Sequence, residues 1–189
     1  MTSRFPSAAR YARLALCMLP LTACAIATVG SYSEQRFDLS AYRTYAWGPA
    51  DTGGTGDPRL DNNRFFEDRI RRRVDEQLAL RGFEKMDAGT PDLFVHYHAS
   101  VSQKIDVSDL DRSSVNCGTV DCRPFVYDAG TIFVDLVNAR ARTLVWRGWI
   151  EGTMDGVIDN QGLMESRIDD AVTRILERLP PGAPRNGGR

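Results

Sequence analysis

The two histidines of the chain, His96 and His98, fall in the alternating stretch PDLFVHYHASVSQKI, residues 91–105. Strand spacing would set both imidazoles on one face, about 6.7 Å apart along the chain. Two imidazoles so placed can share a metal, and Cys117 with Cys122, in NCGTVDC, could complete a tetrahedral set. Structural zinc sites usually separate their histidines by three to five residues, so a metal-binding module on His96 and His98 is an alternative and not the leading expectation. Asp106, Asp109 and Asp111 in DVSDLD offer oxygen ligands, but a calcium loop needs more of them at tighter alternation, and an acidic loop is expected. Asp135 and Glu151 fall on what read as neighbouring strands, where paired carboxylates could do the acid/base work of a hydrolase. Arg147 close by makes a surface charge ladder the simpler arrangement. No serine occupies a G-x-S-x-G elbow and no glycine-rich phosphate loop follows a strand. The expectation is a protein with no catalytic residues and no cofactor.

Two further groups could meet a partner. RIRRR places Arg69, Arg71, Arg72 and Arg73 largely off the apolar stripe of a helix, either as a solvated face or as a contact for anionic headgroups or an acidic partner. Glu67, Asp68, Asp75 and Glu76 nearby dilute that charge. Trp146 and Trp149 alternate across one strand: Trp146 is assigned to the core, whereas Trp149, beside Arg147, is either covered by the loop 106–128 or exposed in a protein interface.

The elements that must position these residues follow from periodicity. TVGSYSEQRFDLSAYRTYAW reads as β-structure ending at the Gly48-Pro49 turn. Phe66, Ile70, Val74 and Leu78 recur every fourth position and predict a helix over 61–80, capped by Asp61 or Asn62 and ended by Gly82. Leu93, Val95, Tyr97, Ala99 and Val101 form one face of a strand. GTIFVDLVNAR and TLVWRGWIEGTM predict a hairpin turning at NARAR, with Ile132, Val134 and Leu136 facing the core beside Leu144, Trp146 and Ile150. A last helix over 160–179 has the stripe Met164, Ile168, Val172, Ile175 and Leu179 and stops at Pro180-Pro181. The order β-α-β-β-β-α predicts an α+β domain: an antiparallel sheet of four to five strands with both helices on one face.

The amino terminus sets the location. Residues 1–13 carry Arg4, Arg10 and Arg13 with no acid, and Leu14–Ala23 is an apolar run too short to cross a bilayer as a helix, so the opening reads as an export signal. Leu21-Thr22-Ala23-Cys24 resembles the lipobox of bacterial lipoproteins. That resemblance implies diacylglycerol on the thiol of Cys24, cleavage before it and acylation of the new amino terminus. Ordinary secretory cleavage at Ala23-Cys24-Ala25 and an uncleaved anchor running on through Ile26 and Val29 stay open. Several acyl chains on one cysteine would hold the protein to the membrane, and Ala25 in place of an aspartate favours the outer membrane by analogy. Removing the three signal arginines from 24 basic residues leaves 21 against 25 acidic ones, a net −4 with no electrostatic pull toward nucleic acid. In an oxidising compartment Cys117 and Cys122 most simply form a local disulfide.

YRTYAWGP, RGF, PDLFVHYHASVSQK, AGTIFVDLVNAR and LVWRGWIEGTM together resemble domain of unknown function 4136 (DUF4136), carried mostly by bacterial envelope lipoproteins. The resemblance covers residues 28–179, with the segment 106–128 and the NARAR turn departing from the family's pattern. It implies an α+β fold and a lipoprotein location, and no reaction. The expected organisation is a signal peptide over 1–23, a tether over 24–27, one domain over 28–179 and a disordered tail over 180–189. The expected role is that of a lipid-anchored cell-envelope protein, in the outer membrane facing the periplasm, binding an envelope partner or supporting the envelope without catalysis.

Overall fold

In the computed structural model, described over residues 27–34, 38–49, 53–61, 63–106 and 125–180, the chain forms one mixed sheet with two helices. Strands are β1 (Ala27–Ser33), β2 (Thr44–Trp47), β3 (Glu84–Lys85), β4 (Leu93–Asp106), β5 (Phe125–Asn138) and β6 (Thr143–Thr153). The helices are α1 (Arg64–Leu80) and α2 (Gln161–Glu177). Across the sheet the order is β1-β6-β5-β4-β2-β3. The four strands β1, β6, β5 and β4 pair antiparallel, whereas β2 runs parallel to both β4 and β3.

The α+β class stands, but the sheet has six strands rather than four or five and is mixed rather than antiparallel. The stretch expected to be one strand holds two. A 3-10 turn at Leu39–Ala41, with the Asp38 side chain accepting from the Ser40 N–H, separates β1 from β2. These two strands then sit on opposite sides of the β6-β5-β4 core of the sheet. The chain passes from β2 through α1 before reaching β3 and β4, and a helical crossover returns it in the same direction, which makes the pairing parallel. β3 is two residues long and shows no periodicity to read.

Both helices lie against one sheet face. Phe66, Ile70, Val74 and Leu78 of α1 and Met164, Ile168, Val172 and Ile175 of α2 join Val95, Val134, Leu136 and Trp146 in a single core. The cap is Asn63 rather than the expected Asp61 or Asn62, its side chain accepting from the Phe66 N–H, and the helix begins at Arg64 rather than at 61. At the other end Gly82 takes φ +89°, and Phe83 N–H to Leu78 O with Gly82 N–H to Ala79 O closes the helix in the left-handed way that glycine allows. Asn160 caps α2 through the Leu163 N–H.

Two details of the hairpin differ from expectation. β4 and β5 extend to Asp106 and back to Phe125, so the two ends of the segment read as a polar excursion, Asp106 and residues 125–128, are paired strand. Asp109, Asp111, Cys117 and Cys122 lie outside the described residues, as do Cys24, the signal segment and 181–189. A bulge between Leu136 and Val137 shifts the register, so that Leu136 faces Trp146 but Val137 faces Leu144. Val145, not Leu144, is the buried residue there. No helix among the described residues is long and apolar enough to cross a membrane.

Candidate functional site

With both helices on one face, the other face of the sheet carries most of the residues whose chemistry stood out in the sequence. Three cross-strand rows run over β4, β5 and β6: His96, Asp135 and Arg147; His98, Phe133 and Trp149; Ser100, Thr131 and Glu151. No described helix packs here. The period of two that placed Val134 and Leu136 in the core places Phe133 and Asp135 on this outer face.

Asp135 is the centre of the arrangement. It is only 4% exposed, and both its oxygens accept from Arg147, Oδ1 from Nε at 2.7 Å and Oδ2 from Nη2 at 2.5 Å. His98 Nε2 stands 3.6 Å from Oδ2. The hydrogen bonds to Asp135 hold the Arg147 guanidinium more firmly protonated than usual, and its carbon lies 5.4 Å from the Phe133 ring centroid, a cation–π contact. Glu151 has its own cation, Lys104 Nζ at 3.1 Å. Asp135 and Glu151 lie two rows apart, about 13 Å by strand rise, each neutralised separately. They form the charge ladder expected rather than an acid/base pair.

The histidines share the face but meet different neighbours. His96 packs on Gly48, where a Cβ would fall 2.0 Å from its Cε1. Trp149 does the same on Gly30, where a Cβ would fall 2.2 Å from Cζ2. Each ring fills the space left by a glycine, Gly30 on β1 and Gly48 just after β2, so a side chain at either position would displace the ring. Among the described residues no group of three or more His, Cys, Asp or Glu side chains is arranged to hold a metal.

The arginine run is largely internal. Arg69 donates from Nε and Nη2 to the Asp169 carboxylate and pairs with Glu165, joining α1 to α2. Arg73 bonds Glu76 and Thr173. Arg71 covers Trp47 at 4.7 Å and Tyr97 at 5.9 Å from the ring centroids. Arg72 alone of the four is classed as exposed. The run therefore holds helices and rings in place more than it presents a cationic patch.

A second polar cluster had no signature in the sequence. Asp75 Oδ1 accepts from Tyr45 Oη and Trp47 Nε1, both at 2.9 Å, and Oδ2 pairs with Lys85 Nζ at 2.8 Å. Four residues from three separate elements meet only after folding. Burial, and then the Asp75 carboxylate, raise the Tyr45 hydroxyl well beyond the ordinary tyrosine range. A raised folded-state value means that the neutral tyrosine stabilises the fold fully below about pH 10, and that this contribution fades as pH rises above it. Tyr45→Phe should cost about 1–2 kcal/mol at neutral pH, because Asp75 loses a donor. The variant should also show a flatter loss of stability between neutral and strongly alkaline pH in urea titrations.

Two concavities stand out among the described residues, the first of them beside His98. A polar cleft of about 280 Å³ lies between β4 and the loop 53–61, with Tyr97, His98, Asp61 and Glu67 in its walls. The loop is pinned by Asp61 accepting from Thr55 N and Oγ1, and by Val101 N–H donating to Thr55 O. An apolar cavity of about 80 Å³ opens between the sheet and α2, with Ala27, Ile132, Met154 and Met164 among its lining.

Residues 29–181 match the DUF4136 sequence family, a domain of unknown function. The chain belongs to the DUF4136 family. No curated protein matches the sequence. A solved DUF4136 family protein from Bacteroides thetaiotaomicron is similar with TM-score 0.49 and 11% identity, over 78% of this chain and 95% of that one. A PDZ domain protein from Parabacteroides distasonis is similar with TM-score 0.51 and 10% identity over 82% of this chain, which spans 36% of that protein's length. A PelC dodecamer from Paraburkholderia phytofirmans gives TM-score 0.44 at 12% identity, over 80% and 95% of the two chains. At 10% identity the likeness to the PDZ domain protein speaks for a shared fold alone. Within this DUF4136 domain, the Asp135–Arg147 pair and the Asp75 cluster are charge centres that its own geometry defines.

Proposed function

We propose that this DUF4136 domain is a lipid-anchored, non-catalytic module of the cell envelope, held in the outer membrane through Cys24 and binding another envelope component with its outer sheet face. The observation that carries the reading is the lipobox-like Leu21-Thr22-Ala23-Cys24, three residues ahead of Ala27, where the edge strand β1 begins. So short a connection would keep the sheet close to the lipid. Trp149 and Arg147, with Phe133 between the same strands, supply the aromatic and guanidinium groups that interfaces favour. The pairing of Asp135 with Arg147 and of Glu151 with Lys104 supports a binding face over a hydrolytic one. A disulfide between Cys117 and Cys122 belongs to the same reading.

Labelling cells with a radioactive fatty acid tests the anchor. The wild-type protein should carry label and sediment with membranes. Cys24→Ser should lose the label and fractionate with soluble envelope proteins, whereas an unchanged distribution would remove the anchor. For the binding face, crosslinking in cells should capture a defined envelope protein whose yield falls in Trp149→Ala; equal capture would exclude that face.

A further inference from the structure

We propose that the outermost described stretch of the β4–β5 ribbon, residues 104–106 with 125–127, is a second membrane contact, lying in the headgroup layer of the bilayer that the lipid on Cys24 would hold; the inference rests on the anchored reading above. The sheet register places the two features at one end of the molecule. Ala27 pairs with Gly152, Gly152 with Gly130, and Gly130 with Val101, so the first residue of β1 lies in the same row as Val101 of β4. β6 stops at Thr153, opposite Ala129, and the last bond to that side is Met154 N–H to Asp128 O. Past this row β4 and β5 continue as a two-stranded arm in which Lys104 faces Tyr127, Ile105 faces Val126 and Asp106 faces Phe125.

Distances decide what the arm meets. Cys24 is three residues from Ala27 and can stand at most about 10 Å away, even fully extended. Ile105 is four residues beyond Val101, about 13 Å further along the strand. A tether leading off the start of β1 along the strand axis would bring the lipidated cysteine no further out than the level of Ile105, and the bilayer surface would then come to the arm. The side chains there suit that layer. Ile105 and Val126 are 63% and 51% exposed and directly opposed, making one apolar patch on the outside of the protein. On the other side of the ribbon Tyr127 is of a residue type that favours the membrane–water boundary, while Lys104 is held by Glu151.

The test uses the whole lipidated chain, purified from membranes and reconstituted in vesicles of phosphatidylethanolamine and phosphatidylglycerol. A photoreactive benzoylphenylalanine replaces Ile105 or, as a control at the opposite end of the sheet, the exposed Arg140. Intact mass first reports whether Cys24 is acylated. Irradiation should then yield phospholipid adducts from position 105 and only background from position 140. Ile105→Asp combined with Val126→Asp, at two exposed positions that leave the core intact, should reduce phospholipid adducts from the same photoreactive group placed at Tyr127. Acylated protein with equal adducts at 105 and 140, or an adduct between 105 and another polypeptide, overturns the arm and leaves the anchor standing. Absent acylation overturns the anchor, and in that case adducts confined to 105 would still support the arm, whereas none there would overturn both.

Discussion

Trp146→Ala should cost about 3–5 kcal/mol, the range for removing a large ring from a filled core. Trp146 is 0% exposed and lies where β6 crosses beneath the helices, opposite Leu136 and over Gly148. A Cβ on Gly148 would fall 2.4 Å from Trp146 Cη2 and 2.7 Å from Ile175 Cγ2, so the ring fills the gap between strand and α2 with nothing to spare. The indole N–H has no hydrogen-bond partner among the described residues. Trp146→Phe, which removes that unsatisfied donor along with part of the ring, should therefore lose much less than the alanine variant. Chemical denaturation of the three proteins measures the difference. A phenylalanine variant as unstable as the alanine one would show that the N–H is satisfied in solution and that the packing account is incomplete.

Arg147→Leu should cost about 2–3 kcal/mol. Removing one partner of a buried ion pair leaves the other uncompensated, and here the group left behind is the enclosed one, Asp135. The Arg147 side chain remains 39% exposed, so water already weakens the attraction and the loss falls below that of a fully enclosed pair. The double variant Asp135→Leu, Arg147→Leu should recover most of the loss, because no charge is then stranded. Urea midpoints for wild type, both single variants and the double variant supply the cycle. Additive losses would mean that Asp135 and Arg147 act independently, contrary to the bidentate geometry.

The two variants also separate the sources of stability from those of recognition. Trp146 belongs to the helix-facing core, and its loss should loosen the domain without changing the chemistry of the outer face. Arg147 belongs to both accounts, since it steadies Asp135 and stands beside Trp149. Partner capture is therefore better tested through Trp149, whose ring rests on Gly30 and carries no buried charge.

The helical stripes Phe66–Leu78 and Met164–Leu179 were legible from spacing alone, as was the division of β4 and β5 into a buried and an outer face. Burial imposes a period of 3.6 or 2 on the chain itself, so one local window contains the whole signal. The hairpin at residues 139–142 and the outward placement of Asp135, Arg147 and Trp149 follow from the same local rule. Pairing partners leave no such trace. That β2 would run parallel beside β4, clamped by Asp92 accepting from Arg43 N, Thr44 N and Thr44 Oγ1, depended on residues nearly fifty positions apart. Burial opposes the charge on Asp92, but those hydrogen bonds outweigh it and hold the carboxyl below its usual range.

By itself the sequence determined most of the residues that face inward along each long element. Only the tertiary structure decided the mixed six-strand order, the bulge that puts Val145 in place of Leu144, and the meeting of Tyr45, Trp47, Asp75 and Lys85. The physical reason is range: periodicity records what each segment does with water, whereas strand order and polar clusters depend on which distant segments satisfy one another's hydrogen bonds and charges.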